Sequence, residues 1–328
     1  MFGEDFVWGV ASSAYQVEGT DAADGRGACV WDMFAADGRV FEHQNADTSC
    51  DHMHHYKEDI ALMRHLGIRA YRFSLNWARI LPEGTGRVNE KAIAMYRDMI
   101  LTMKENGITP YLTLFHWEFP QALYERGGWQ NPDVVQWFGE YAKVVAENFS
   151  DICEYFITIN EPQCVVGLGH LSGVHAPGVK LPVAQTFLVA HHLLMAHGQA
   201  VINLRRYAVR PVRIGFAPTG GVAYPYTDRS EDIEAAKKVY FGFYNPIDNW
   251  TWNVSWFSDP VFLGHYPEEG LKKFAPYLPE ITQEDMELIY QPLDFMGQNI
   301  YNGYYVRAGA DGEPEFVDRA PGFPKTGS

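Results

Sequence analysis

Cysteine is scarce in this chain. Four of the 328 residues are Cys, at 29, 50, 153 and 164, and none forms a C-x-x-C pair. A chain this long with so few reads as free thiols in a reducing compartment, not as a disulfide framework. Positive charge is also short: 26 basic residues face 41 acidic ones, for a net charge of -15. That balance excludes a phosphate-rich partner such as nucleic acid. No apolar run reaches the ~18 residues of a membrane span. The start, Met1-Phe2-Gly3-Glu4-Asp5, lacks the basic and apolar regions of a secretion signal. No G-x-G-x-x-G, phosphate loop or G-x-S-x-G elbow occurs. These absences predict a cytoplasmic protein with no cofactor, no nucleic-acid partner and no membrane association.

What is present is a globular composition, 47% hydrophobic and 15% aromatic. Tyr and Trp join an apolar body to a polar handle, so a high share suits a wet cleft as well as a core. The most informative segment is Thr158-Ile159-Asn160-Glu161-Pro162. It follows an apolar, β-branched run from Tyr155, and Pro162 cannot continue a sheet ladder. A carboxylate and a neutral amide therefore stand where a buried strand emerges.

Strand-like and helix-like segments alternate along the chain. Strands are predicted over 6–11, 69–75, 108–115, 153–159, 212–217 and 293–300. Helices are predicted over 56–66, from Asn89 to Gly107, after the Asn131-Pro132 cap, and over 182–207. Repeated β-then-α order implies a parallel sheet with crossover helices. Residues 1–328 read as one domain. Six such strands fall short of the eight in a closed barrel. The stretches over 24–51 and between the fifth and sixth strands read as elaborated loops or small helices, and 320–328 as a polar tail.

Several segments together resemble the family 1 glycoside hydrolases, the β-glucosidases and their relatives. They are Phe6-Val7-Trp8-Gly9-Val10-Ala11-Ser12-Ser13-Ala14-Tyr15-Gln16-Val17-Glu18-Gly19, Asp51-His52 with Tyr56-Lys57-Glu58-Asp59-Ile60, Tyr71-Arg72-Phe73-Ser74 and Trp77-Ala78-Arg79-Ile80. Leu114-Phe115-His116-Trp117, Asn160-Glu161-Pro162, His175-Ala176-Pro177-Gly178 and Asp294 to Tyr301 follow in order. Each match is weak alone, and their joint order and spacing make the resemblance strong. It implies a (β/α)8 TIM barrel of the α/β class and retaining cleavage of β-glycosides by two carboxyl groups about 5–5.5 Å apart.

The resemblance assigns Glu161 as the acid/base. It assigns Arg72 and Tyr301 as the groups that hold the nucleophile ionised. Gln16, His116, Trp117, Asn160 and Asn299 become sugar-binding residues. The nucleophile of the family is a Glu in a Thr-Glu-Asn-Gly segment on the seventh strand, and that tetrapeptide does not occur here. The chain is thus expected to be C-terminally incomplete, inactive alone, and partnered by a complementary C-terminal fragment or a homo-oligomer. A sugar-binding or structural pseudoenzyme is the alternative from a different class. Cys50-Asp51-His52-Met53-His54-His55 mimics a metal site, but no distant ligand pair accompanies it, so no metal is expected. His191 and His192, on an apolar helix, read as packed and hydrogen-bonded.

Overall fold

The computed structural model describes residues 2–20 and 24–318. The expected polar tail over 320–328 lies outside the described residues. Six strands make one parallel sheet: β1 (Gly9–Ala11), β2 (Ala70–Ser74), β3 (Thr109–Phe115), β4 (Tyr155–Asn160), β5 (Arg213–Ala217) and β7 (Phe295–Met296), in that spatial order. Helices His52–His65, Glu90–Glu105, Val134–Phe149 and Val183–Tyr207 carry the crossovers between successive strands up to β5, and Gln283–Ile289 precedes β7. These are six of the eight βα units of a (β/α)8 barrel. The sheet curls. Phe295 on β7 lies 6.1 Å from Tyr111 on β3, three strands away, and Tyr111 stacks on Tyr155 at 4.4 Å.

Local rules explain most elements. Helix Glu90–Glu105 buries Ile93, Tyr96, Ile100 and Met103 on one face, and Gly107 closes it at φ +74°. Helix Val134–Phe149 buries Val134, Val135, Phe138, Tyr141 and Val145. Its start differs from expectation. Asn131 accepts from the Asp133 amide at 2.9 Å, so residues 131–133 form a turn and the helix begins at Val134, not at Pro132. Asn89 stands before its helix as expected but does not cap it. Its amide donates to the carbonyls of Asp24 and Arg79, both at 3.0 Å.

Two further differences concern strands. The sixth sheet strand spans two residues instead of eight. Beyond Met296 the pairing thins to the Gly297–Phe216 bond and the Thr219–Asn299 bridge. With a neighbour on one side only, Ile300 and Tyr301 past that bridge are left exposed. A second sheet was not expected at all: β6 (Val222–Pro225) pairs parallel with β8 (Gly303–Ala308), which pairs antiparallel with β9 (Pro314–Val317). Helix Ser230–Phe241 covers it through Ala235, Ala236 and Val239 against Val306.

Candidate active site

The site forms at the C-terminal ends of the parallel strands. β4 supplies Asn160 and Glu161, and a bulge decides where they point. Ile157 pairs with Gly215 but Asn160 pairs with Ala217, so β4 carries one extra residue. Thr158 faces the helix layer, where its Oγ1 meets Nδ1 of His197 at 2.7 Å. Strict alternation would send Asn160 the same way. The bulge turns it onto the concave face instead. There its Oδ1 accepts from Arg72 and, at 2.9 Å, from Asn299. Its Nδ2 donates to Nε2 of His116 at 3.2 Å.

The Oδ1 partners fix the orientation of that amide, and the amide fixes the His116 tautomer. With Nε2 accepting, the proton sits on Nδ1, which is shut off from solvent and has no protein partner. Burial, helped by the Arg72 charge, pulls the His116 pKa down to about 3. The ring is therefore a neutral donor at any ordinary pH.

Glu161 follows directly, in the left-handed region at φ +48°. Such a backbone costs about 1–3 kcal/mol in a non-glycine residue and clusters at functional sites. Trp117, at the end of β3, is similarly strained at φ +87°, and its indole donates to the Asn160 carbonyl at 3.0 Å. The Glu161 carboxyl is 5% exposed. One oxygen accepts from Asn299, the other from the Cys164 thiol at 3.1 Å. Burial and the Glu161 charge push the Cys164 pKa up, so the sulfur keeps its proton and donates.

Arg72, from the middle of β2, spans the floor. Nε donates to Thr113 at 3.0 Å and Nη1 to Asn299 at 3.1 Å. Burial lowers its pKa, while the charges of Glu161 and Tyr301 act the other way. Asn299 is placed by main-chain bonds with Pro218 and Gly220, and its carbonyl also accepts from the Thr219 hydroxyl at 3.1 Å.

The expected residues thus separate into a joined group and two outliers. Arg72, His116, Trp117, Asn160, Glu161 and Asn299 form one hydrogen-bonded network. Gln16 is outside it, bonded to Ser13 at 2.8 Å, but shares a cavity of about 400 Å³ with His116, Trp117 and His175. Tyr301 is 84% exposed and shares a second cavity of about 470 Å³ with Glu161, Thr219 and Trp252. His175, Trp31, Cys164 and Trp252 were not expected as site residues. His175 stands between Trp31 and Trp117, at 5.4 and 5.6 Å. The cue for it was in the His175-Ala176-Pro177-Gly178 motif. Trp31, Cys164 and Trp252 carried no comparable signal.

The histidines set aside earlier are accounted for. His52, His54 and His55 bond to Asp59, Asp51 and Glu58. Among the described residues no three metal-ligating side chains converge. His191 and His192 are buried against Tyr266 and the Trp129 carbonyl. No helix among the described residues is long and apolar enough to cross a membrane.

On a curled parallel sheet, chemistry gathers at the strand C-termini. A nearly buried acid set there among neutral donors and indoles marks the barrel glycoside hydrolases. Comparison with known proteins narrows the class: the chain belongs to glycosyl hydrolase family 1, whose model matches residues 1–319. It is 42% identical over 328 residues to β-glucosidase A of Thermotoga maritima, covering 99% of this chain and 71% of that protein. It is 41% identical to a 1,4-β-D-glucan glucohydrolase of Thermotoga neapolitana, covering 99% and 74%. The Thermotoga maritima β-glucosidase in complex with azafagomine superposes with a TM-score of 0.85 at 41% identity, over 99% of this chain and 71% of that one. Its complex with deoxynojirimycin gives 0.84 over 97% and 70%.

Proposed function

We propose that this chain carries the acid/base half of a retaining β-glycosidase acting on terminal β-D-glucosides. The placement of Glu161 carries the reading: a nearly buried carboxyl at the end of β4, held by Asn299 and Cys164 beside a cleft. In this role Glu161 protonates the departing oxygen and then takes a proton from the attacking water. Asn160 bonds the sugar 2-hydroxyl, Gln16 bonds another hydroxyl, His116 lines the same pocket and orients the Asn160 amide, and Trp117 packs on the ring. The names of the Thermotoga relatives support the glucoside class.

The second carboxylate is proposed to come from outside this sequence. Arg72 bonds only neutral side chains, those of Thr113, Asn160 and Asn299, among the described residues. Both sheet edges are apolar and open, with Trp8 and Val10 exposed beside β1 and Met296 and Ile300 exposed around β7. A complementary C-terminal segment would cover both edges and bring its carboxylate to Arg72 and Tyr301. Residues 1–328 are read as one catalytic domain, which spans 71% of the length of β-glucosidase A of Thermotoga maritima. Four free cysteines suit a cytoplasmic setting.

Calorimetry with deoxynojirimycin, run beside an aryl β-glucoside assay, tests this. The chain alone should bind without turnover, and adding the complementary segment should restore turnover. Full turnover by the intact chain alone would refute the missing-carboxylate reading. In the complemented enzyme, Glu161→Gln should slow poor leaving groups by about 10²–10⁴ and good ones much less. Equal loss for both would remove Glu161 from the acid role.

A further inference from the structure

Glu118 lies between the two walls of the cleft and has no role in the chemistry above. It follows Trp117 in the loop after β3 and is 1% exposed. One carboxyl oxygen accepts from the Tyr15 amide at 2.8 Å, and the other is buried without a partner. Tyr15 is the second residue of the single helical turn Ala14–Val17, which carries Gln16. A turn this short has unsatisfied amides at its start. Here two side chains from elsewhere in the chain satisfy them, Ser74 Oγ at the end of β2 for Ala14 at 2.8 Å and Glu118 for Tyr15. Just past the turn, Glu18 accepts from Arg79 at 3.2 Å and Tyr96 at 2.8 Å. The turn is therefore clamped at both ends.

We propose that Glu118 is a positioning residue, whose carboxyl locks the Gln16 turn to the His116–Trp117 loop and so sets the separation of the two cleft walls. The titratable groups that face it are Glu18, Cys29 and Tyr141, and none is a cation. A buried carboxylate with no cation beside it is strongly disfavoured, so the group stays protonated. Burial raises its pKa to about 8. The clamp is then a neutral acid at neutral pH, and ionisation places an uncompensated charge in the seam between the walls.

Hydrogen exchange of the Tyr15 amide tests the clamp without reference to sugar. Glu118→Gln keeps an acceptor and cannot ionise, whereas Glu118→Ala removes the acceptor. Exchange should quicken by on the order of tenfold or more in the alanine variant and return close to the parent in the glutamine variant. Once the intrinsic rate is divided out, parent protection should fall as pH rises from about 4.5 toward 8 and level off above that, while Glu118→Gln stays flat. If the alanine variant does not fold, this pH comparison decides alone. Unchanged Tyr15 protection in Glu118→Ala, or equal pH responses in parent and Glu118→Gln, would overturn the inference.

The sugar-binding consequence rests on the glycosidase reading. Affinity for deoxynojirimycin should fall about tenfold or more in Glu118→Ala and be restored in Glu118→Gln. A parent that binds no deoxynojirimycin overturns the glycosidase reading and leaves the exchange test standing. A parent that binds while alanine and glutamine variants match it overturns the positioning role alone.

Discussion

The two flanks of the cleft are built from the same sheet and are held very differently. On the flank from β2 to β4, Asn160 is 0% exposed and Glu161 5%, and each side-chain oxygen of these two residues has a partner. On the β7 flank, Ile300 is 50% exposed and Tyr301 84%. β4 has a strand on each side, whereas β7 pairs only with β5. A side chain at a strand end is fixed by what the neighbouring strand presents to it. The same residue chemistry beside an open edge is left in solvent.

The sharpest way to break this contrast is Arg72→Met. It strips charged donors from Asn160 and Asn299 together. Urea unfolding should show a loss of about 3 kcal/mol or more, because hydrogen bonds to charged groups are the strong ones. A loss below about 1 kcal/mol would mean the β2–β4 flank does not depend on its network.

Acid should act next, through imidazoles buried in or behind that flank. Burial lowers the pKa of His116 to about 3, His170 to about 4 and His197 to about 3, against 6.5 for the free side chain. The unfolded chain thus binds protons that the folded chain refuses. Stability present above pH 6.5 should fall steadily as pH drops toward 4, read as a falling urea midpoint. A midpoint flat across that window would show that these rings are not buried neutral.

Thr158→Val is a smaller test of the same flank. It removes the hydroxyl that meets His197 and leaves that ring, whose Nε2 already lacks a partner, with none. A loss of about 1–2 kcal/mol is expected in urea unfolding. Tyr301→Phe, on the open flank, should change stability by less than about 0.5 kcal/mol. A larger effect would place Tyr301 in a contact that the open edge does not provide.

Much of the sheet was legible because its signals are local. β-branched and aromatic runs mark β2 to β5, and Gly67 and Gly107 end helices at φ +75° and +74°. The site was legible chiefly through the joint spacing of its motifs. The sheet β6–β8–β9 was not legible although Tyr304, Tyr305 and Val306 have strand character, because its strands stand outside the repeating βα order and β6 pairs with a strand far along the chain. Its hairpin closes through Arg307 and Glu315, a cross-strand pair at 2.9 and 2.8 Å that no periodicity shows. The truncated β7 was misjudged because its length depends on a neighbour, not on its own residues.

From the sequence alone came the strand-and-helix order, the family, and the position of Glu161 at the end of a strand, since each follows from short-range pattern. Only the tertiary structure decided that Asn160 turns inward through a bulge, that Arg72 reaches across the floor to Asn299, and that Tyr301 stands in solvent. Those outcomes depend on register and on neighbouring strands distant in the chain, and no local run of residues encodes either.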